Sequence, residues 1–152
     1  MRLARASHER IEEFLRAHYH DELLKLPPVQ LHKGRLARWL TKTFRIGAIT
    51  FGRHIFINPE LIRRNQQGHC LVPGWLIAHE AVHVLQYEHA GFVRFLFAYL
   101  RGYYGALRTH RRWDRAARNQ AYRALKEECD AYAAESAYPL WKADENDKDS
   151  DD

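Results

Sequence analysis

Along most of this chain apolar residues recur every three or four positions, and only one stretch alternates with the two-residue period of a β-strand. Ile11, Phe14, Leu15, Tyr19 and Leu23 share one face of a first helix, which Ser7 can cap and Pro27-Pro28 ends. Residues 34–44 read as a second helix whose Leu36, Trp39, Leu40 and Phe44 are expected in the core. Residues 46–51 and 54–57 are β-rich runs around Gly52-Arg53, and glycine in the first place of a two-residue loop suits a type II′ hairpin. That register pairs Phe51 with His54 and Ile49 with Phe56, with Ala48, Ile55 and Ile57 on the other face. One face can cover the helices, and an edge of the hairpin can hold an extended peptide by backbone pairing. Residues 63–69 read as a polar loop.

A third helix is bounded by Pro73, suited to a first turn, and by Gly91, a plausible stop. Leu76, Ile77, Val82, Val84 and Leu85 make it apolar on most sides, as a buried central helix should be. Within it lies His79-Glu80-Ala81-Val82-His83, an HExxH motif. Four residues make about one helical turn, so His79 and His83 lie one above the other and can reach one metal ion. Glu80 points to the side of that ion, where a carboxylate can act as general base on a metal-activated water. Hydrogen-bonded core histidines are the alternative reading. Residues 92–104 are helical in character and aromatic on nearly every side, as a second core helix would be.

A zinc site with one open position needs a third protein donor. His89 follows His79 by ten places, but Gln86 stands where a glycine would be needed to turn the chain back, so a continuous helix carries His89 out of reach. In the last helical stretch Ala117, Ala121, Ala124, Leu125, Glu128, Ala131, Tyr132 and Glu135 form a stripe at steps of three and four. Glu128 sits within it, whereas Glu127 belongs to an opposite, solvated face with Gln120, Arg123, Asp130 and Ala134. An inward carboxylate needs a partner: the metal held by His79 and His83, or a buried arginine.

Composition changes this picture at one end only. The chain has 152 residues, consistent with one domain, and its net charge of +5 conceals an asymmetry. Residues 1–143 hold 23 Lys and Arg against 13 Asp and Glu, a balance of +10, while residues 144–152 hold six acidic residues and one lysine. The latter segment is expected to be a disordered acidic tail. The basic body suits an anionic partner or simply solvated helix faces. Cys70 and Cys129 form no CxxC, which excludes a cysteine-zinc knuckle and suggests a reducing compartment. No apolar run of signal-peptide or membrane-spanning length is present, so a cytoplasmic protein is expected.

HEAVHVLQYEHAG, followed by Tyr122-Arg-Ala-Leu-Lys-Glu-Glu128-Cys-Asp-Ala131-Tyr, resembles small bacterial metallopeptidase domains with HELxHVxQ and a downstream YRxxxxExEA, often encoded near contractile injection systems. Leu36-Ala-Arg-Trp39 and residues 48–56 resemble the segment ahead of that motif, so the likeness spans about residues 35–135. More broadly the chain is similar to gluzincin peptidases, and the third-ligand Glu of their ExxAD signature falls on Glu128. Tyr132 stands where that signature has its aspartate, so the usual carboxylate behind the ligands is missing from the motif. The resemblance implies a zincin-like fold and peptide hydrolysis. The expectation is therefore a mostly helical α+β domain over residues 1–143, with a small hairpin or sheet beside the HExxH helix. One Zn2+ per chain is held by His79, His83 and Glu128, Glu80 is the base, and the partner is a peptide or protein substrate. Gln86 is a candidate to support the ligands, and His110, Tyr122 and Tyr132 are unranked candidates to stabilise the oxyanion. Two other functions fit: a non-catalytic zinc-stabilised adaptor, and a metal-dependent protein acting on nucleic acid.

Overall fold

In the computed structural model, residues 2–64, 66, 70–91, 94, 97, 101 and 126–148 are described. Helix α1 (Arg5–Tyr19) starts without a side-chain cap, so Ser7 lies inside it rather than ahead of it. It also stops earlier than the pattern suggests. His20 adopts the left-handed conformation at φ 52°, and its N–H and that of Asp21 close the helix onto Ala17 O and Arg16 O. Asp21 then accepts from the Leu23 N–H at 3.0 Å, and Leu23 points to solvent. Local turn chemistry here overrides a helical spacing. Downstream, Leu24, Leu26 and Val29 return to the core as extended chain, tied to α1 because Glu12 accepts from the Leu26 N–H and Arg16 Nε donates to Leu24 O.

Strand β1 (Gln30–His32) lies parallel to β3 (His54–Ile57), and β2 (Ala48–Phe51) pairs antiparallel with β3, giving the sheet order β1-β3-β2. The hairpin has the expected register, Phe51 opposite His54 and Ile49 opposite Phe56, and Gly52 is the turn residue with positive φ, at 59°. At three residues, β1 is too short for its alternation to stand out in the sequence. Arg63–Arg64 (β4) and Cys70–Leu71 (β5) form a second, two-stranded ribbon at the ends of the stretch expected to be loop throughout.

Helix α2 (Arg35–Phe44) departs from expectation in what it buries. Ala37 and Thr41 face inward, while Leu36, Trp39 and Phe44 are 56%, 62% and 59% exposed. Small residues let the helix lie close to β2 and β3, which turns the large apolar ones outward. Helix α3 (Gly74–Ala90) is the centre of the fold, buried on nearly every side from Leu76 to Leu85 and packed against α1, β2 and the last helix, α4 (Lys126–Lys148). Glu128, Ala131, Ala134 and Tyr138 form the buried face of α4, so Ala134, expected on the solvated side, is inside. The helix continues through Pro139 and into the first five residues of the expected tail, Asp144 to Lys148, as an extension of an already packed helix. Residues 149–152 and most of 92–125 lie outside the described residues. The result is a mostly helical α+β arrangement in which no described helix is long and apolar enough to cross a membrane.

Gly74 shows how tightly α4 approaches α3: a Cβ there would meet the ring and, at 2.7 Å, the hydroxyl of Tyr138. Alanine is otherwise the better helix former by about 1 kcal/mol. Overpacking should nonetheless win, so Gly74→Ala is expected to destabilise by about 1–3 kcal/mol in denaturant melts. Combined with Tyr138→Ala its effect should be much less than additive.

Candidate metal centre

Two neighbouring turns of α3 and one position of α4 create the site. His79 and His83 stack along α3 with ring centroids 5.1 Å apart, and Glu128 projects between them from α4 with 1% of its surface exposed. Each imidazole is fixed through its Nδ1. His79 Nδ1 lies 2.9 Å from Glu135 Oε2 and His83 Nδ1 lies 2.8 Å from Gln86 Oε1, and both acceptors require an N–H at that position. The Nε2 lone pairs are thereby turned toward Glu128: His79 Nε2 is 3.6 Å from its Oε2, and His83 Nε2 is 3.4 Å from its Oε1.

This donor set fits a divalent ion. Tetrahedral coordination at the bond lengths of zinc to imidazole and carboxylate spaces the donor atoms by roughly 3.4 Å. His79, His83 and Glu128 each offer a ligand atom within 4.8 Å of the others. Without the ion, burial disfavours charge on His83, but the hydrogen bond and charge of Glu128 outweigh it and push its pKa up to about 9. A proton there supplies the positive charge that Glu128 demands, and a cation can replace it.

Glu80 is adjacent. It is almost wholly buried, and burial raises its pKa against the opposing pull of His83, His79 and a hydrogen bond from Thr50 Oγ1 at 2.6 Å. Thr50 was not among the sequence candidates, although strand alternation puts it on the face of Ala48, where a hydroxyl among apolar residues was the available signal. Above the site lies a cavity of about 300 Å³. His79, Glu80, Tyr132 and Glu135 form one part of its wall, Trp75 and Leu76 another, and residues 45–48 the rest.

Three further candidates are resolved by these contacts. Glu135, seven residues after Glu128, supplies the carboxylate that Tyr132 cannot, because two helical turns return it to nearly the same face. Tyr132 instead packs its ring edge-on to His79, with centroids 4.9 Å apart. Gln86 supports His83 rather than His79, and its Nε2 donates to Glu127 O at 3.0 Å, tying α3 to α4. His89 Nδ1 contacts Leu85 O of its own helix, so the three histidines at spacing 0, +4, +10 do not converge. His110 and Tyr122 lie outside the described residues.

Residues 7–91, more than half of the chain, match the family model described as the eCIS core domain. That span holds α1 to α3 with His79, Glu80 and His83, and ends before Glu128. No curated protein and no solved structure matches the chain.

Glu128→Ala is expected to abolish stoichiometric metal binding, while Glu127→Ala, which keeps the backbone carbonyl used by Gln86, retains it. Glu135→Ala should weaken affinity about 10–100-fold by releasing His79 from its orientation. All three are checked by metal titration. Since His83 holds its proton up to about pH 9, metal must displace that proton below it. Apparent affinity should therefore rise with pH, by up to about tenfold per unit, and level off above pH 9.

Proposed function

This chain belongs to the eCIS core domain family, and from its converging donors we propose that it is a zinc-dependent hydrolase of peptide bonds. The observation that carries this reading is Glu80: a buried carboxylate one residue from His79, anchored by Thr50 and lining the same cavity as the ligand helix. A structural metal site needs no such group beside it. Two neutral imidazoles and one carboxylate are a donor set used by catalytic zinc, with a position left open.

When bound, the ion supplies Lewis acidity, polarising a carbonyl oxygen and acidifying a water. Glu80 would accept a proton from the attacking water and deliver it to the leaving amine. Burial favours the protonated form of its carboxyl, which helps it take up that proton. Thr50 holds Oε2 in place and so limits the directions in which the carboxylate can turn. Tyr132, beside His79 on the cavity wall, is the candidate we assign to polarise the substrate carbonyl. Among the described residues strand β2 is an outer strand of its sheet, and it borders the cavity through Ala48. An extended peptide can add to that edge and so lay a bond across Glu80.

One observation favours a second reading, a metal-stabilised adaptor. The exposed stripe Leu36, Trp39 and Phe44 is a large apolar surface for one short helix, as a docking face would be. Catalysis decides between the two. With about one zinc per chain, the wild type should cleave members of a mixed peptide library. Glu80→Gln should keep its metal and lose about 10²–10⁴-fold in rate. Thr50→Val should lose part of the rate at unchanged metal content, and Thr50→Ser should restore it. Zinc-loaded wild type that cleaves no peptide would establish the adaptor instead.

A further inference from the structure

Arg45 occupies an unusual backbone position on the wall of the cavity. It ends α2 in the left-handed conformation at φ 56°, where its N–H and that of Ile46 close onto Lys42 O and Thr41 O. That place favours glycine, because a Cβ crowds the neighbouring carbonyl there. An arginine thus stands here against local preference, exposed, on the cavity wall. Among the described residues no carboxylate pairs with it; the nearby cation Lys42 lies 3.9 Å from Glu60. The acidic wall opposite is occupied, since Glu135 Oε2 is held by His79. Arg45 shares the cavity wall with Ile46, Leu76 and Trp75, the last 38% exposed, and with His79, Glu80 and Glu135. A guanidinium binds a carboxylate in a fixed, two-toothed geometry.

The hairpin register supplies a direction. Phe51 and His54 flank the two-residue turn, and Asn58 N–H donates to Gly47 O, so residues 47, 49 and 51 turn their backbone groups toward β3. Ala48 and Thr50 turn theirs the other way. A peptide pairing antiparallel to this edge runs from Thr50 toward Ala48, and its C-terminal part approaches Arg45, which precedes Ala48 by three residues and lines the same cavity. We propose that Arg45, which shares the cavity wall with Trp75, is a recognition site for a substrate carboxylate on the C-terminal side of the bond lying at Glu80. The proposal rests on the peptidase reading for its chemistry, but the binding it describes does not require turnover. The carboxylate is either an acidic side chain or the free C-terminus of the peptide.

The test uses full-length zinc-loaded Glu80→Gln protein and fluorescein-labelled hexapeptides read by anisotropy. One set has an amidated C-terminus and Asp, Glu, Leu or Lys at each of the last three positions; another is an all-neutral peptide with a free C-terminal acid. Carboxylate-bearing peptides should bind about tenfold or more tightly than the neutral amide. Arg45→Gly should erase that preference, and Arg45→Glu should transfer it to the Lys peptides. Misfolding cannot imitate the result, because glycine suits this backbone and Arg45→Gly should melt at or above the wild-type temperature. Arg38→Ala, an exposed cation of the same helix away from the cavity, should leave the preference intact and so exclude general charge attraction. Preference for the amidated Asp or Glu peptides identifies a side chain; preference for the free acid alone identifies a C-terminus. Equal binding of charged and neutral peptides, no binding of any, or an unchanged preference in Arg45→Gly overturns the proposal. If the preference holds while wild type leaves the bound peptides intact, the hydrolase reading fails and the Arg45 site stands.

Discussion

Two histidines and two glutamates lie at the centre of an apolar core, and the need to satisfy them organises the rest of the molecule. Each would cost several kcal/mol if buried without a partner. A helix cannot meet that demand from its own backbone, whose groups are already bonded in the turn below and above. Partners must come from other elements. Among the described residues helix α4 sends Glu128 and Glu135, β2 sends Thr50, and α3 itself adds the Gln86 side chain. The polar cluster is therefore also the contact that holds α3, α4 and the sheet in register.

Small residues make this convergence possible. Gly74 on α3, with Ala131 and Ala134 on the buried face of α4, allows the two helices to pack closely enough for three donor atoms to converge. Ala37 and Thr41 do the same for α2 against the sheet. The consequence differs between the two places. Between α3 and α4 close approach brings the donors together; under α2 it turns Leu36, Trp39 and Phe44 outward and leaves them exposed.

The electrostatic state of the centre also follows from its partners. Glu128 raises the His83 pKa although burial opposes it, so the metal-free pocket balances its charge with a proton. Glu80 is pushed in the direction of a neutral acid by burial, and Thr50 partly counters that push. Glu128 thus belongs with His79 and His83 to a group that could hold a metal ion, while Glu80 is held by Thr50, though both sit in the same core.

The sequence by itself determined the central helix, its HExxH face, the hairpin register and Glu128 as the inward carboxylate of the last helix. All of these depend on periodicity within one element, where side-chain direction follows from residue spacing. Tertiary structure alone decided which residues complete the centre. Glu135 and Thr50 act through contacts spanning 56 and 30 residues, and no local pattern ranks such partners. It also decided where spacing misleads: α1 stops at His20 because turn hydrogen bonds close it, and α2 buries alanine and threonine because they fit the sheet better than tryptophan. A side chain's face can be read from its own helix or strand, but what covers that face is settled by the shapes of its neighbours.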